Sequence, residues 1–310
     1  MKILITGGAG MVGTTLVHRL QQLKIHDFLV VDNLLYETDY LMNVPFKRGD
    51  VSDPAFMIPL LDNYEPDAVI HLAGIVGDAA CSLRPIESYN VNIKSIKLLA
   101  DYYKGRIIWP SSCSVYGLND EIATEESPVT PLSLYAQMKV NGEQLLIDKN
   151  AFIPRLGTLH GVGGRFRSDL VVNLLTIRAL IEGKIQVFGG GQYRPLLHVE
   201  DLADTIVRHL ASTRKGVFNL AEGNYKILDI AQEVQRQLPN TQLEITPTSF
   251  EDSRNYKVSI EKAQKAWGFK PTLGINYTIK SIIDLYNEGR IKDFANMKYS
   301  NVLGLQFHNK

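Results

Sequence analysis

The chain has 310 residues, enough for one large domain or two intimate ones, and 45% of them are hydrophobic, which allows a sizeable core. Its formal net charge of zero favours neither nucleic acid nor an anionic membrane surface as a partner. Two cysteines, Cys81 and Cys113, give neither a disulfide framework nor a zinc spacing, and fit a reducing cytoplasm. The apolar start is too short for a signal peptide, and no apolar run approaches the length of a membrane helix.

Taken in order, residues 2–6 read as a buried strand, 7–13 as a glycine-rich turn and 14–23 as a helix. Residues 28–31 form the next strand, ending at Asp32, and 68–72 a third after the turn-like Glu65-Pro66-Asp67. A helix is expected over 86–103, a strand over 106–109, a helix over 132–148 and a strand over 151–156. Strand–helix alternation of this kind predicts an α/β fold, a parallel sheet with helices on both faces. Beyond Gly157 the pattern loosens, with helices over 169–182, 198–210 and 227–237 and a strand over 185–188. Stretches 183–191 and 217–223 are candidates to return to the sheet, so the second lobe need not be continuous. Residues 287–310 are polar with scattered aromatics and read as a docking tail or a flexible end.

Gly7, Gly10 and Gly13 fall between a strand and a helix. Missing side chains there let the backbone turn tightly and approach a pyrophosphate, and the helix N-terminus supplies free N–H donors. Asp32 follows at the end of the second strand, near the ~20-residue spacing at which an acidic residue meets the adenosine ribose hydroxyls. Asp32 would repel a 2′-phosphate, and its neighbour is Asn33 rather than an arginine, so NAD is favoured over NADP.

Tyr135 and Lys139 lie one helical turn apart, on one face, downstream of Ser112. A phenol of pKa near 10 is only about 0.1% ionised at pH 7, and a nearby ammonium favours the phenolate. Tyr135 would then take a proton from a hydroxyl while hydride leaves the same carbon, with Ser112 hydrogen-bonding the substrate oxygen. No metal spacing links His71, His160 and His198, which read as support for the fold.

These residues sit in an ordered series of motifs: TGGAGMVG at 6–13, VVDN at 30–33, GDVSD at 49–53, HLAG at 71–74, SSCSVYG at 111–117, YAQMK at 135–139, PRLGTLHG at 154–161 and RPLLHVEDLAD at 194–204. In that order they resemble the extended short-chain dehydrogenases/reductases, in the NAD-dependent epimerase/dehydratase group acting on nucleotide sugars. The resemblance implies a Rossmann-type, doubly wound parallel sheet with a smaller, discontinuous C-terminal substrate lobe. The NAD-binding domain would take 1–157 with returns near 183–223, the substrate lobe 158–182 and 224–286, and the tail 287–310. It implies Met11 and Val12 against the pyrophosphate, Asp50 and Val51 beside the adenine, and Leu72, Ala73 and Gly74 on the path to the nicotinamide. Lys139 would also hold the nicotinamide ribose, and Gly157 would pass the nicotinamide amide. Arg194, Asn173 and Arg254 match positions near the substrate diphosphate, while Arg165 and Arg167 fit that role and a solvated charged stretch equally.

Departures from the family refine the expectation. Dehydratases that act at C4 and C6 carry Asp-Glu after the catalytic hydroxyl, where this chain has Cys113-Ser114. Cys113 reads as a small wall residue of the substrate site, and Cys81 as either sugar-facing or structural. The galactose-nucleotide 4-epimerases have a lysine near Val76 and commonly asparagine at Thr158. The expected activity is nucleotide-sugar epimerisation, with hydride abstraction at C4 and a transient keto-sugar. The alternatives are a one-way sugar dehydrogenase or ketoreductase, then a 4,6-dehydratase, then a non-catalytic NAD-binding regulator. A cytoplasmic homodimer in carbohydrate biosynthesis, built on the 86–103 and 132–148 helices, is the family expectation.

Overall fold

A computed structural model describes residues 1–36, 43–247, 255–291, 293–294 and 296–307. Its main sheet has the strand order Gly216–Leu220, Ala151–Leu156, Arg106–Ile108, Ala68–His71, Ile3–Thr6, Phe28–Asp32, Phe46–Arg48, with Ser111–Ser112 pairing off Ala151–Leu156. Every pairing in it is parallel. The strands Ile3–Thr6 and Ala68–His71 are buried at every position, as a sheet covered on both faces requires. Ile3, Ile5, Val30 and Ile70 face one layer, packing with Leu16, Leu20, Leu202 and Ile206 of helices Met11–Gln22 and Val199–His209. Leu4, Leu29, Val31 and Val69 face the other, packing with Met57, Leu61, Ile96 and Leu99 of helices Pro54–Tyr64 and Ser95–Tyr102. The pleat sends alternate side chains to opposite faces, so adjacent residues of one strand serve two cores.

The second lobe has its own core, in which Val172, Leu175, Ile185, Val187, Ile230, Val234, Ile275 and Ile279 are buried. Of the two stretches expected to return to the sheet, only one does. Gly216–Leu220 forms its edge beside Ala151–Leu156, whereas Lys184–Phe188 pairs in parallel with Gln242–Thr246 in a separate sheet of the small lobe. Strands Thr158–His160, Tyr193–His198 and Gly223–Lys226 form a third sheet between the two parts.

The helix expected over 86–103 is three pieces: Pro85–Tyr89, a wide turn over Asn90–Lys94 with i→i+5 bonding, and Ser95–Tyr102. Asn92 accounts for the interruption. Its side chain turns inward to accept from Ile75 N at 2.9 Å and to donate to Ile75 O at 2.8 Å. One inserted residue lets the helix reach the loop that follows strand Ala68–His71.

Candidate active site

The order of the main sheet reverses between Ile3–Thr6 and Ala68–His71, and the carboxyl ends of parallel strands at such a point open into a crevice. A cleft of about 1010 Å³ lies there, at the upper edge of the ~300–1,000 Å³ usual for one small ligand. The glycine turn forms one end. Gly7 has φ +71°, and a Cβ on it would stand 2.4 Å from Ala73 N. A Cβ on Gly13 would stand 2.4 Å from Gly8 Cα, so these two glycines permit backbone packing. Gly10 differs, since its Cβ would meet only Gly7 O at 3.3 Å. Gly10 caps helix Met11–Gln22 without a side chain, leaving the free N–H groups of that helix toward the cleft it lines.

Asp32 closes the adjoining wall. Its Oδ2 accepts from Ala9 N at 3.0 Å and its Oδ1 from Leu34 N at 2.8 Å, tying the glycine turn to the second strand. Burial raises its pKa, while these N–H groups and the charge of Arg165 pull the other way. Asp50 also lines the cleft and accepts from both the N–H and the hydroxyl of Ser52 at 2.8 Å. Met11, Val12, Asn33, Val51, Leu72, Ala73, Gly74 and Gly157 line it too.

Ser112, Tyr135 and Lys139 meet at the other end. Ser133 caps helix Leu134–Leu146, its Oγ accepting from Ala136 N at 3.1 Å and donating to Asp78 Oδ1 at 2.5 Å. That cap sets the start of the helix, and the helical period then points Tyr135 and Lys139 the same way. Lys139 Nζ donates to Pro110 O at 2.7 Å and lies 4.5 Å from the centre of the Trp109 ring and 5.7 Å from that of Tyr135. Burial lowers the Lys139 pKa to about 8. Ser112 Oγ accepts from Ser114 N at 3.2 Å and from Ser114 Oγ at 2.9 Å, and its hydroxyl also acts on Tyr135.

The electrostatics of Tyr135 depart from the sequence expectation. Burial pushes its phenol above the ordinary value, Cys81 and Asp78 add to the rise, and the Ser112 hydroxyl opposes it. Lys139, 5.7 Å from the centre of the Tyr135 ring and hydrogen-bonded to Pro110 O, does not offset that rise. A further positive charge in the cleft would favour the phenolate.

Three expected substrate contacts fare differently from the rest. Arg194 lines the cleft, with Nη1 on Tyr193 O at 2.8 Å and its guanidinium 5.9 Å from the Tyr256 ring. Cys113 does not line it: the thiol is fully buried and donates to Arg155 O at 3.3 Å, and burial drives its pKa up. The residue after Ser112 turns into the core because a tight helical turn, Cys113–Tyr116, begins there, and Ser114 faces the cleft instead. Asn173 is likewise fully buried. Its Oδ1 accepts from Gly161 N and its Nδ2 donates to Gly161 O and Arg167 O, fixing the loop before its helix. Arg254 lies outside the described residues.

His71 bridges Thr6 Oγ1 at 2.8 Å and Ser95 Oγ at 2.9 Å, as a structural histidine does. Cys81, fully buried, donates to Ile75 O at 3.2 Å. Arg165 and Arg167, read from sequence as a diphosphate contact or a solvated stretch, line the cleft; its wall also includes Tyr36, Asp78, Ser133, Asn301 and Val302, none of them singled out as site residues from sequence. Ser133 carried a signal, a capping residue before a helical pattern. Asn301 and Val302 carried none, since they reach the cleft by long-range docking of the chain end.

The open cradle at Gly10, the uncapped helix behind it and the acceptor pair of Asp32 fit a dinucleotide: a pyrophosphate on the N–H groups and a ribose at the carboxylate. Lys139 and Tyr135 line the same cleft, where the redox end would lie.

Comparison with known proteins agrees. The UDP-glucose 4-epimerase of Streptococcus mutans is 28% identical over 308 residues, covering 87% of this chain and 92% of that protein. UDP-glucuronic acid decarboxylase 4 of Arabidopsis thaliana is 27% identical over 89% of this chain and 66% of its own length. Among solved structures, the Thermus thermophilus UDP-glucose 4-epimerase in complex with NAD superposes with a TM-score of 0.80 at 22% identity, covering 91% of this chain and 99% of that one. MoeE5 in complex with UDP-glucose and NAD gives 0.79 at 22% identity, covering 94% and 100%. The family model described as "NAD dependent epimerase/dehydratase family" matches residues 3–221. The chain belongs to that family and is an NAD-dependent enzyme.

Proposed function

We propose that the protein epimerises a nucleotide-activated hexose, by removing and returning hydride at C4 through a transient keto-sugar. The observation that carries this reading is the convergence of Ser112, Tyr135 and Lys139 on one end of a cleft whose other end is the glycine turn. When bound, NAD supplies a hydride acceptor, and its positive nicotinamide favours the Tyr135 phenolate. Tyr135 takes the proton of the sugar hydroxyl as the carbon–hydrogen bond breaks, and returns it when hydride comes back to the opposite face. Ser112 donates a hydrogen bond to the reacting oxygen in both directions. Lys139, fixed by Pro110 O, holds the nicotinamide ribose and carries charge beside the phenol. Arg194 on the substrate side of the cleft would meet the diphosphate.

Relatives named as UDP-glucose 4-epimerases support the substrate class, and decarboxylases among the relatives share its nucleotide. Elimination of water is disfavoured, because no carboxylate follows Ser112 and the cysteine that does is buried. A one-way sugar dehydrogenase or ketoreductase would use the same three groups, and Val76, where galactose-nucleotide epimerases carry lysine, favours that second reading. Incubation with UDP-glucose and NMR of the products tests the proposal. A C4 epimer without accumulating NADH supports it, and stoichiometric NADH without an epimer favours the dehydrogenase. No turnover of any UDP-, dTDP- or GDP-hexose would sink both.

A two-fold dimer would use the helices Pro85–Tyr89, Ser95–Tyr102 and Leu134–Leu146. Ile86, Tyr89, Tyr102 and Leu134 on them are exposed, an apolar set of the kind an interface covers. Sedimentation as a monomer at micromolar concentration would refute it.

A further inference from the structure

Residues 297–307 pack against the cleft, which Asn301 and Val302 line. Residues 297–307 follow the last long helix, Ile275–Asn287, and finish in the short helix Asn301–Phe307. Asn301 is 3% exposed and is bonded on three sides. Its N–H donates to Asp169 Oδ2 at 2.9 Å, its Nδ2 donates to Val76 O at 3.0 Å, and its Oδ1 accepts from Arg165 Nη1 at 2.9 Å. Leu305 is fully buried in a cluster with Ile75, Ala80 and Cys81, against which Tyr36, Val302 and Tyr135 pack. Arg84 Nη2 donates to Leu305 O at 2.5 Å. Val76 and Arg84 follow the strand Ala68–His71, while Arg165 and Asp169 follow the strand Thr158–His160. The segment therefore links two walls of the cleft, which Asn301 and Val302 line.

Arg165 is the residue it holds. The Arg165 N–H donates to Thr14 Oγ1 at 3.1 Å, on the first turn of the helix that begins at the glycine turn. A Cβ on nearby Gly163 would stand 2.9 Å from Met11 O, so this loop lies directly on that turn. The Arg165 side chain is 6% exposed, and its guanidinium stacks 4.1 Å from the centre of the Tyr36 ring. The guanidinium donates to Asn301 Oδ1 and Lys298 O, both neutral, and its Nε is buried without a hydrogen-bond partner among the described residues. The Asp169 and Asp32 carboxylates act on this buried guanidinium through space, while its hydrogen bonds among the described residues go to neutral acceptors, so a further anion such as a pyrophosphate would add compensation. The site beneath it is the one where free helix N–H groups already await a pyrophosphate.

We propose that residues 297–307 are a latch over bound NAD, in which Asn301 and the Lys298 carbonyl hold Arg165 above the pyrophosphate-binding turn, so that the cofactor leaves only when the latch opens. The inference rests on NAD occupying this cleft, as the epimerase reading does, and it explains how a cofactor that is re-oxidised in every cycle stays in place.

The test is cofactor release from the NAD-loaded, full-length protein. Loaded wild-type, Asn301→Ala and Arg165→Met proteins are passed through a desalting column, and the retained nucleotide is quantified after denaturation at successive times. Release at least ten-fold faster in both variants is expected. Rates within two-fold of wild type would overturn the latch. Hydrogen exchange on the wild-type protein gives a readout independent of how the variants fold. Amides of residues 297–307 should gain protection when NAD is added, and unchanged protection would likewise overturn the proposal. If release accelerates but no hexose nucleotide is turned over, the latch stands and the epimerase reading falls. If epimerisation is found with release unchanged, the reverse holds.

Discussion

Arg155 and Glu143 form a two-pronged ion pair, Nε to Oε1 at 2.8 Å and Nη2 to Oε2 at 2.6 Å, with both side chains under 10% exposed. Glu143 is one turn beyond Lys139 on helix Leu134–Leu146, and it also accepts from Ser111 Oγ at 2.5 Å. Arg155 Nη1 donates to Tyr116 Oη at 2.8 Å, and that hydroxyl donates to Asn219 Oδ1 at 2.8 Å. The pair thus bolts the helix of Tyr135 and Lys139 to the loop of Ser112. Glu143→Ala leaves a buried guanidinium uncompensated, and should cost about 3–5 kcal/mol of stability. Chemical denaturation measures this, and a loss under about 1 kcal/mol would mean that water enters to replace the carboxylate.

Tyr135→Phe removes one oxygen from the cleft and keeps the ring that packs beside Leu305. Turnover should fall about 10²–10⁴-fold with NAD still bound. Retained turnover would assign the proton transfer to another group, Ser112 first among them.

Gly7 and Gly10 should respond differently to alanine. At Gly7 the new methyl meets backbone at 2.4 Å in a left-handed conformation, so Gly7→Ala should misfold or lose most of its thermal stability. At Gly10, with φ −74°, the backbone suits any residue, and the methyl projects where little protein stands. Gly10→Ala should melt close to wild type yet bind NAD about ten-fold more weakly or worse, by crowding the pyrophosphate. Calorimetry gives both quantities, and equal NAD affinity in the folded Gly10 variant would contradict this placement of the cofactor.

His71 and His198 are each 1% exposed. Burial, aided by Lys139 at His71 and His160 at His198, holds both imidazoles down to about 3, against an ordinary 6.5. The folded state keeps them neutral while the unfolded chain takes up protons below 6.5. Stability is therefore complete above about pH 6.5 and declines as pH falls toward 3, by up to ~1.4 kcal/mol per pH unit for each histidine. Urea midpoints at pH 7 and pH 5 should differ in that direction, and equal midpoints would show that the rings are hydrated.

The parts legible in sequence were those set by local periodicity and short-range geometry. The strand over 151–156 and the helix over 227–237 match Ala151–Leu156 and Ile227–Gln237 residue for residue. The Gly7–Asp32 relation could be read because turn and strand end are joined through Ala9 N. What could not be read depends on partners distant along the chain. Lys184–Phe188 has a strand's pattern, but its partner Gln242–Thr246 lies far downstream. Asn92 breaks its helix because of Ile75, and Asn173 and Cys113 turn inward to satisfy Gly161 and Arg155. A motif fixes where a residue falls along the chain and leaves open which way it faces.

Between Ala151–Leu156 and the last strand of the main sheet, Gly216–Leu220, the chain passes through three strands of other sheets. On a ribosome, Ala151–Leu156 must therefore wait with an open edge while about sixty further residues are made. The cofactor half has no early independent existence: a fragment ending near residue 157 would expose that edge and invite pairing with its own copies. Because the sheet is completed only by Gly216–Leu220, fragments that divide the chain before it should aggregate before they bind any nucleotide.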